Sequence, residues 1–373
     1  MRVLQASTAL RARVALRPHT RVLLDRHGTL DAVELLDLVD LHRRRRRGSS
    51  PSALGDLPVT APLRQVLVAV LAGDGVLEMR SSGTTGTPHR RRRGPLSVGQ
   101  LSTLADLAAR IGLRPGRRVA CLAPGVHGHG LVTALGALAL GAPLVDLTHL
   151  PSAERIPLLH RGSPDLLTGV PVHLLDLLRA DAELADGRSL RIARIVSGSD
   201  HLSPELRADL TRHFRARVHD VYGTTETGPL SVDGSPLRGV QLREREGLLH
   251  AATPFTGRRA LVTDRGEIAA DGAVRVLGRA DGAPSSGGMP PDPAAVVRAL
   301  CSHPAVATAH LRTVPDERVG VSTVAEVELR AAGAGEPAPG PEELRALVRD
   351  RLGAAAVPRE VRLSSPGRSP VPR

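Results

Sequence analysis

The sequence predicts an α/β protein. A large N-terminal domain has mostly parallel sheets flanked by helices and ends in a β-rich subdomain; a small α+β C-terminal domain follows. Three observations carry this reading. Between residues 64 and 240, amphipathic helical stretches alternate with short apolar runs, the pattern of helices crossing between parallel strands. From 240 to 280 the chain changes to short β segments separated by turn residues. From 281 to 373 helix and strand signals share a stretch long enough for only a small unit. With 373 residues the whole can form two or three domains.

Residues 1–63 read as a shortened N-terminal segment and a linker. Apolar residues precede a His27-Gly28 turn, and positions 30–40 then repeat at helical spacing. Residues 41–63 lose this period and hold Arg43 to Arg47, Gly48, Ser49, Ser50 and several prolines, so a surface linker is expected there. In the 64–280 core, helices are expected at 98–113, 131–140 and 203–216, and strands at 118–124, 142–147, 191–199 and 217–223. The β-rich part offers segments at 247–252, 258–264, 266–272 and 273–279. In the unit 281–373, helices are expected at 293–303 and 341–353 and strands at 306–312 and 322–330.

Composition excludes more than it selects. The formal charge of +12 suggests an anionic partner. All 50 basic residues are Arg, however, and Lys and Asn are absent, a bias that follows codon composition. The runs Arg43–Arg47 and Arg90–Arg93 have no aromatic residues beside them to stack bases, so nucleic acid is not an expected partner. Cys121 and Cys301 are too far apart in sequence for a metal motif and form no disulfide framework, which fits a cytoplasmic protein. The most apolar stretch, Leu131 to Leu147, is interrupted by Gly136, Gly141, Pro143 and Asp146; a buried helix and strand are expected there, with no integral membrane segment.

Residues 81–88 read Ser81, Ser82, Gly83, Thr84, Thr85, Gly86, Thr87, Pro88. The glycines allow a tight turn and close approach, and hydroxyls with backbone N–H groups can surround a phosphate. The run resembles the phosphate-binding loop of the adenylate-forming (AMP-binding) acyl-CoA synthetases, with His89 where that family has Lys. Val221, Tyr222, Gly223, Thr224, Thr225, Glu226 is similar to the family's Tyr-Gly-x-Thr-Glu motif. Ser197, Gly198 and Ser199 resemble its adenine-binding segment. Asp264 and the run Gly278-Arg279-Ala280-Asp281 keep its spacing, although Thr263 replaces a Gly. Pro124 to Gly130 resembles the segment near the acyl pocket, with His127 in the place of its gating His. Shorter likenesses at Gly169-Val170-Pro171, Ser286-Gly287-Gly288 and Val357-Pro358-Arg359 extend the resemblance over residues 70–373.

The resemblance implies ATP, Mg²⁺ and CoA as cofactor and co-substrates, and activation of a small-molecule carboxylic acid to an acyl-adenylate and then a thioester. Ser81 to Thr87 and Thr225 would hold phosphates, Gly198, Ser199, Tyr222 and Gly223 the adenine, Asp264 the ribose hydroxyls, and Arg279 the ribose or phosphate. Glu226 would hold the metal. Asp281 would be the hinge of a mobile C-terminal domain whose Arg373 stands where the family has its catalytic Lys. An Arg keeps the charge but not the compact ammonium. A fatty acid is the expected substrate. An aromatic-acid or succinylbenzoate ligase, and an impaired pseudoenzyme that keeps nucleotide binding, stay open beside it. The thiol acceptor is CoA or a carrier-protein pantetheine.

Overall fold

The computed structural model describes residues 6–45, 54, 57–58, 60–73, 77–80, 90–184, 190–280, 293–316, 320–330, 338–352 and 356–364. The chain divides into two compact units, one of Met1–Leu57, Ala61–Ser81 and His89–Ala283, the other centred on Pro284–Arg373.

In the larger unit, α1 (Ala6–Leu16) leads to a hairpin of β1 (Arg21–Asp25) and β2 (Gly28–Asp31), then α2 (Ala32–Arg45) and α3 (Leu63–Ala72). Strands β3 (Leu77–Arg80) and β4 (Arg90–Arg93) pair antiparallel. The alternating region follows as α4 (Val98–Ile111), β5 (Val119–Cys121), α5 (Gly128–Ala139), β6 (Leu144–Asp146), α6 (Ser152–Gly162), β7 (Leu166–Gly169), α7 (Pro171–Leu184), β8 (Arg194–Gly198), α8 (Pro204–Phe214) and β9 (Arg217–Thr224), closing with β10 (Gly228–Val232) and β11 (Ser235–Pro236). These build a nine-stranded sheet in the order β11-β10-β9-β8-β7-β5-β6-β1-β2. The strands from β9 to β1 in that order run parallel, and the edges are antiparallel.

Alternation along the strands assigns the two faces. Leu23, Val119, Cys121 and Leu144 join one core with residues of α1 to α5; Leu24, Ala120, Leu122 and Val145 join the other with residues of α6 to α8. Central strands buried on both faces read as continuous apolar runs, and Val119, Ala120 and Cys121 are all buried. The expected helices and strands of this region are present. The elements α6, β7 and α7 lie between them, where the periodicity gave no separate signal.

The four strands β12 (Gln241–Arg245), β13 (Leu248–Ala252), β14 (Ala260–Ile268) and β15 (Val274–Arg279) form an antiparallel sheet in sequence order. The segments expected at 247–252 and 273–279 are β13 and β15; those at 258–264 and 266–272 run together in β14, because the chain passes Gly266 as a register shift within the strand instead of a turn, and β12 was not expected. In the smaller unit, α9 (Pro293–Cys301) and α10 (Pro341–Leu352) pack with β16 (Val306–Asp316), β17 (Gly320–Leu329) and β18 (Glu360–Ser364) through Val296, Leu300, Val306, Val327, Leu344, Val348 and Val361. Strand β18, parallel to β17, was not expected from the sequence; it has five residues, of which Val361 alone is buried, too few to register a period. Among the described residues no helix is long and apolar enough to cross a membrane.

The linker expected from residue 41 starts later, because α2 continues to Arg45. The Arg43 guanidinium donates to the carbonyls of Leu71 (2.8 Å) and Ala72 (3.2 Å) at the end of α3. A cation there meets carbonyls that have no partner within the helix. The other end of α3 is fixed from the sheet. Buried Asp146, at the end of β6, accepts from the backbone N–H of Leu63 (2.8 Å) and from Thr148 N–H (2.9 Å) and hydroxyl (2.6 Å). Beside it Arg64 donates two hydrogen bonds, 2.8 and 3.0 Å, to Asp25. Burial holds the Asp146 carboxyl above its ordinary range, and the Thr148 and Leu63 donors act against that rise. Replacing Asp146 by Ala leaves two buried N–H groups without acceptors. The expected loss in chemical denaturation is about 1–3 kcal/mol, and an unchanged midpoint would remove Asp146 from this role.

Candidate active site

The order of the central strands reverses at one place. The connection after β5 leads outward to β6, while β7 leads to β8 and β9 in the other direction, so the loops after β5 and β7 diverge. In open α/β sheets a crevice forms at such a reversal, beyond the carboxyl ends of the strands. The described site residues predicted from the sequence on the large sheet sit on this edge: His127 after β5, Gly198 and Ser199 at the end of β8, Tyr222, Gly223, Thr225 and Glu226 at the end of β9.

Tyr222 is half-buried and its hydroxyl lies 2.9 Å from both Asp264 Oδ2 and Thr263 Oγ1. Burial and the adjacent Asp264 carboxylate push the phenol well above its ordinary pKa, so it stays a donor. Asp264 is paired across the β14–β15 ladder with Arg279, which turns a sequence spacing into one contiguous patch. The Tyr–Asp bond adds a feature that the motif reading did not contain. Strand β9 is held by a polar network at its start: Asp233 accepts from the Asp220 N–H (2.9 Å) and from Arg207 (3.2 Å) and bonds buried His219 (2.8 Å). The following turn is tied by reciprocal bonds between Thr224 and Thr227, and Thr253 of the β-rich sheet donates to the Thr227 carbonyl (2.8 Å). This fixes Thr225 and Glu226, both half-buried. Gly223 is required here: a Cβ would fall 2.6 Å from the Gly228 carbonyl oxygen.

His129 bridges the reversal point. Its Nε2 bonds the hydroxyl of Thr168 on β7, its ring hydrogen-bonds the Gly198 backbone, and Nδ1 lies 3.5 Å from Ser199 Oγ. A Cβ on Gly198 would press on this ring at 3.2 Å. Ser199 itself has φ +69°, a left-handed conformation uncommon outside glycine. His129 stands two residues beyond the predicted His127, at the start of the same helix, and that second His is the one sequence signal of its place here.

The N-terminal ends of α5, α6 and α7 meet on this edge as well, since each follows a parallel strand. They bring His127, Arg155 and His173 there, with His149 in the loop before α6. Buried atoms without a partner among the described residues include His127 Nε2, Arg155 Nε, His173 Nδ1 and Ser197 Oγ. Buried polar groups normally find partners, so their concentration on one edge marks a place where a ligand can supply them. Burial lowers the pKa of His127, His129 and His173 from 6.5 to about 4, which keeps the three rings neutral at pH 7.

Ser81 to Thr87, Asp281 and Arg373 lie outside the described residues, as does the side chain of Arg279. The stretch 81–89 that joins β3 to β4 contains the Gly/Thr run. Arg90 to Arg93 form β4. Among the described residues no group of three or more His, Cys, Asp and Glu side chains is arranged to hold a metal ion. A single carboxylate beside phosphates suffices for Mg²⁺, which keeps several waters and takes few protein ligands, so Glu226 is compatible with that role.

Comparison with known proteins agrees with this geometry. A model of the AMP-binding enzyme family matches residues 10–278, and one of the AMP-binding enzyme C-terminal domain matches 298–366. A probable 2-succinylbenzoate–CoA ligase of Mycobacterium tuberculosis is 31% identical over 316 residues, covering 77% of this chain and 79% of its own. Among solved structures, an amide bond synthetase of Marinactinospora thermotolerans has TM-score 0.70 at 19% identity, covering 97% and 96% of the two chains. A malonyl-CoA ligase has TM-score 0.68 at 22% identity, covering 96% and 98%. At these identities the two structures are evidence of fold alone.

The neutral histidines predict how stability depends on pH. His127, His129 and His173 have folded pKa values of about 4, below the ordinary 6.5. Below pH 6.5 the unfolded chain therefore binds protons that the folded chain refuses. Stability contributed by these groups is full above pH 6.5 and declines as pH falls toward 4. Thermal midpoints measured from pH 8 to 4 are expected to drop across that window, and the drop should shrink in His129→Leu. A flat profile between pH 6.5 and 4 would mean the rings are hydrated.

Proposed function

The chain belongs to the AMP-binding enzyme family, and on that premise we propose that it activates a carboxylic acid with ATP and transfers the acyl group to the thiol of CoA. An oxygen of the acid attacks the α-phosphorus, pyrophosphate leaves, and the thiol sulfur then attacks the acyl carbon and releases AMP. The observation that carries the reading is the patch at the end of β9, where Tyr222, Asp264 and the Thr225–Glu226 turn adjoin. Tyr222 offers a ring face for the adenine, and its hydroxyl orients the Asp264 carboxylate toward the ribose hydroxyls. Thr225 and the stretch 81–87 supply donors to the phosphates, where charge develops during transfer. Glu226 would hold Mg²⁺, which neutralises phosphate charge when bound. His129 keeps the Gly198–Ser199 segment in register with the loop after β5 and so shapes the adenine side of the crevice.

The acid is of the aromatic or succinylbenzoate type. The similarity to a succinylbenzoate ligase supports this over the fatty acid expected from the sequence, and the crevice edge is polar where a fatty acyl chain would need apolar walls. CoA is the proposed acceptor. The arrangement at Tyr222 favours a working nucleotide site over a relic, and Arg373 is proposed as the cation of the first step.

Two measurements test this reading. Titration calorimetry with ATP and Mg²⁺ should detect binding that weakens about 10–100-fold in Tyr222→Ala, the size of a lost aromatic–base stack. Pyrophosphate release should follow addition of 2-succinylbenzoate. Binding without release for any class of acid would reduce the protein to a nucleotide binder, and absence of binding would end the catalytic reading.

A further inference from the structure

Parallel strands bring their amino ends to one edge of the large sheet, opposite the candidate site, and this edge is strongly basic. The described loops 16–21, 112–118, 139–143, 160–165, 190–193 and 215–217 lie there, leading into β1, β5, β6, β7, β8 and β9. They hold nine arginines, all exposed, and one acid, Asp165, which Arg117 and Arg118 already contact at 3.3 Å. Five strand spacings separate β9 from β1, so the basic edge is about 24 Å long. Helix C-termini attract cations, which accounts for Arg17, Arg114, Arg161 and Arg215 at or just beyond the ends of α1, α4, α6 and α8. Arg21, Arg118 and Arg191 stand at the starts of strands, where no helix end calls for them.

The same edge also presents apolar groups. Leu16 closes α1 and is 81% exposed; Leu184 closes α7 and is 51% exposed. Helix α7 follows β7 and leads to β8, so its end returns to the amino edge. Two clefts open here and share Arg118. One, of about 300 Å³, is lined by Arg21 and Arg118 with Leu24, Leu144 and Val145. The other, of about 440 Å³, is lined by Arg118, Arg191 and Arg215 with Leu159, Leu190 and Phe214. The guanidiniums of Arg21, Arg191 and Arg215 have no partner among the described residues. A guanidinium grips phosphate oxygens through two parallel N–H groups, and an arginine rim over an apolar floor suits a molecule that joins a phosphodiester to hydrocarbon.

We propose that the amino edge of the large sheet is a docking surface for an anionic phospholipid bilayer, with its arginines on the headgroup phosphates and Leu16 and Leu184 entering the acyl boundary. Electrostatic attraction and apolar burial act together in such surface binding. A single soluble anion would occupy one cleft and gives no reason for a basic edge of this length or for the two leucines. Nucleic acid fits less well, because Phe214, the aromatic residue at this edge, is fully buried and cannot stack on a base. An acidic protein would match the charge and leave Leu16 and Leu184 in water. Docking by this edge turns the carboxyl ends of the strands, with Tyr222 and Glu226, away from the bilayer and toward ligands in solution. The proposal does not depend on the ligase reading, since it uses the opposite edge of the sheet.

The test is co-sedimentation of the full chain with vesicles of phosphatidylcholine containing about a quarter phosphatidylglycerol, and with phosphatidylcholine alone, at about 0.1 M salt. Binding is expected to the anionic vesicles only and to fall as salt rises. The triple variant Arg21→Gln, Arg114→Gln, Arg191→Gln should bind roughly 100-fold more weakly, about fivefold for each arginine. A control triple, Arg243→Gln, Arg245→Gln, Arg259→Gln, removes the same net charge from exposed positions of the β-rich sheet and should stay within about threefold of the wild type, because those charges lie beyond the screening length of the surface. Leu16→Ser with Leu184→Ser should cost about tenfold. Absence of binding to anionic vesicles, equal losses in the two arginine triples, or no loss in the leucine variant overturns the proposal. Release by inorganic phosphate at constant ionic strength would make the edge a soluble-anion site, and displacement of the vesicles by polyglutamate or by DNA would make it a site for an acidic protein or a nucleic acid; each of these sinks the bilayer reading. All substituted side chains are exposed, circular dichroism checks that the variants fold, and the vesicle comparison and its salt dependence need no variant. Pyrophosphate release plays no part in the readout, so failure here leaves the ligase reading standing.

Discussion

The reversal of strand order between β5 and β7 is the constraint on which the rest of the molecule depends. Parallel strands need crossover helices, and these cover both faces of the sheet. Where the crossovers part, no helix covers the carboxyl ends of the strands, and the loops there are free to carry chemistry. His129 spans that gap, bonding Thr168 on one side and the Gly198 segment on the other. A single half-buried imidazole thus connects the loop after β5 with two strands beyond the reversal.

The same edge collects polar groups that the core could not tolerate elsewhere. The interior is aliphatic, with Leu, Val and Ala filling both faces and Phe214 as its one large fully buried ring. Against that background the ends of α5, α6 and α7 bring in three imidazoles and a guanidinium. Neutral histidines limit the desolvation penalty, because a ring without charge costs far less to bury than an imidazolium. Asp146 and Asp25 play the opposite part on the neighbouring strands. Their donors come from α3 and the adjoining backbone, so they anchor a helix and leave no capacity for a ligand. Partnered carboxylates at β1 and β6 and unpartnered polar atoms at α6 and α7 separate the scaffold from the site.

Much of the fold was legible in the sequence because its signals are local. Helix α4 carries its own Ser97–Gln100 capping box and left-handed Gly112 terminus, and the antiparallel β-rich sheet follows its turns. The region from 148 to 190 was harder, since α6 contains Pro157 and β7 is four buried residues with no alternation. The site was half legible. Residues in a compact motif, such as Tyr222 to Glu226, announce themselves in order. The Tyr222–Asp264 bond joins residues 42 apart, and His129, Arg155 and His173 become neighbours of the site only through the sheet topology. No spacing along the chain encodes that approach. The Arg-rich linker was misjudged at its start for a related reason: Arg43 is held in α2 by carbonyls of α3, a partner invisible in a local window.

A chain without lysine has fewer ways to place a positive charge. Lysine can be buried neutral, because desolvation lowers its pKa into the physiological range. Arginine stays charged even where burial lowers its pKa, as it does for Arg155. Burying a permanent cation with an unpartnered Nε is unfavourable, and nothing in the aliphatic core requires it. The neutral imidazoles around it limit that penalty, since further fixed charge at this edge would raise it.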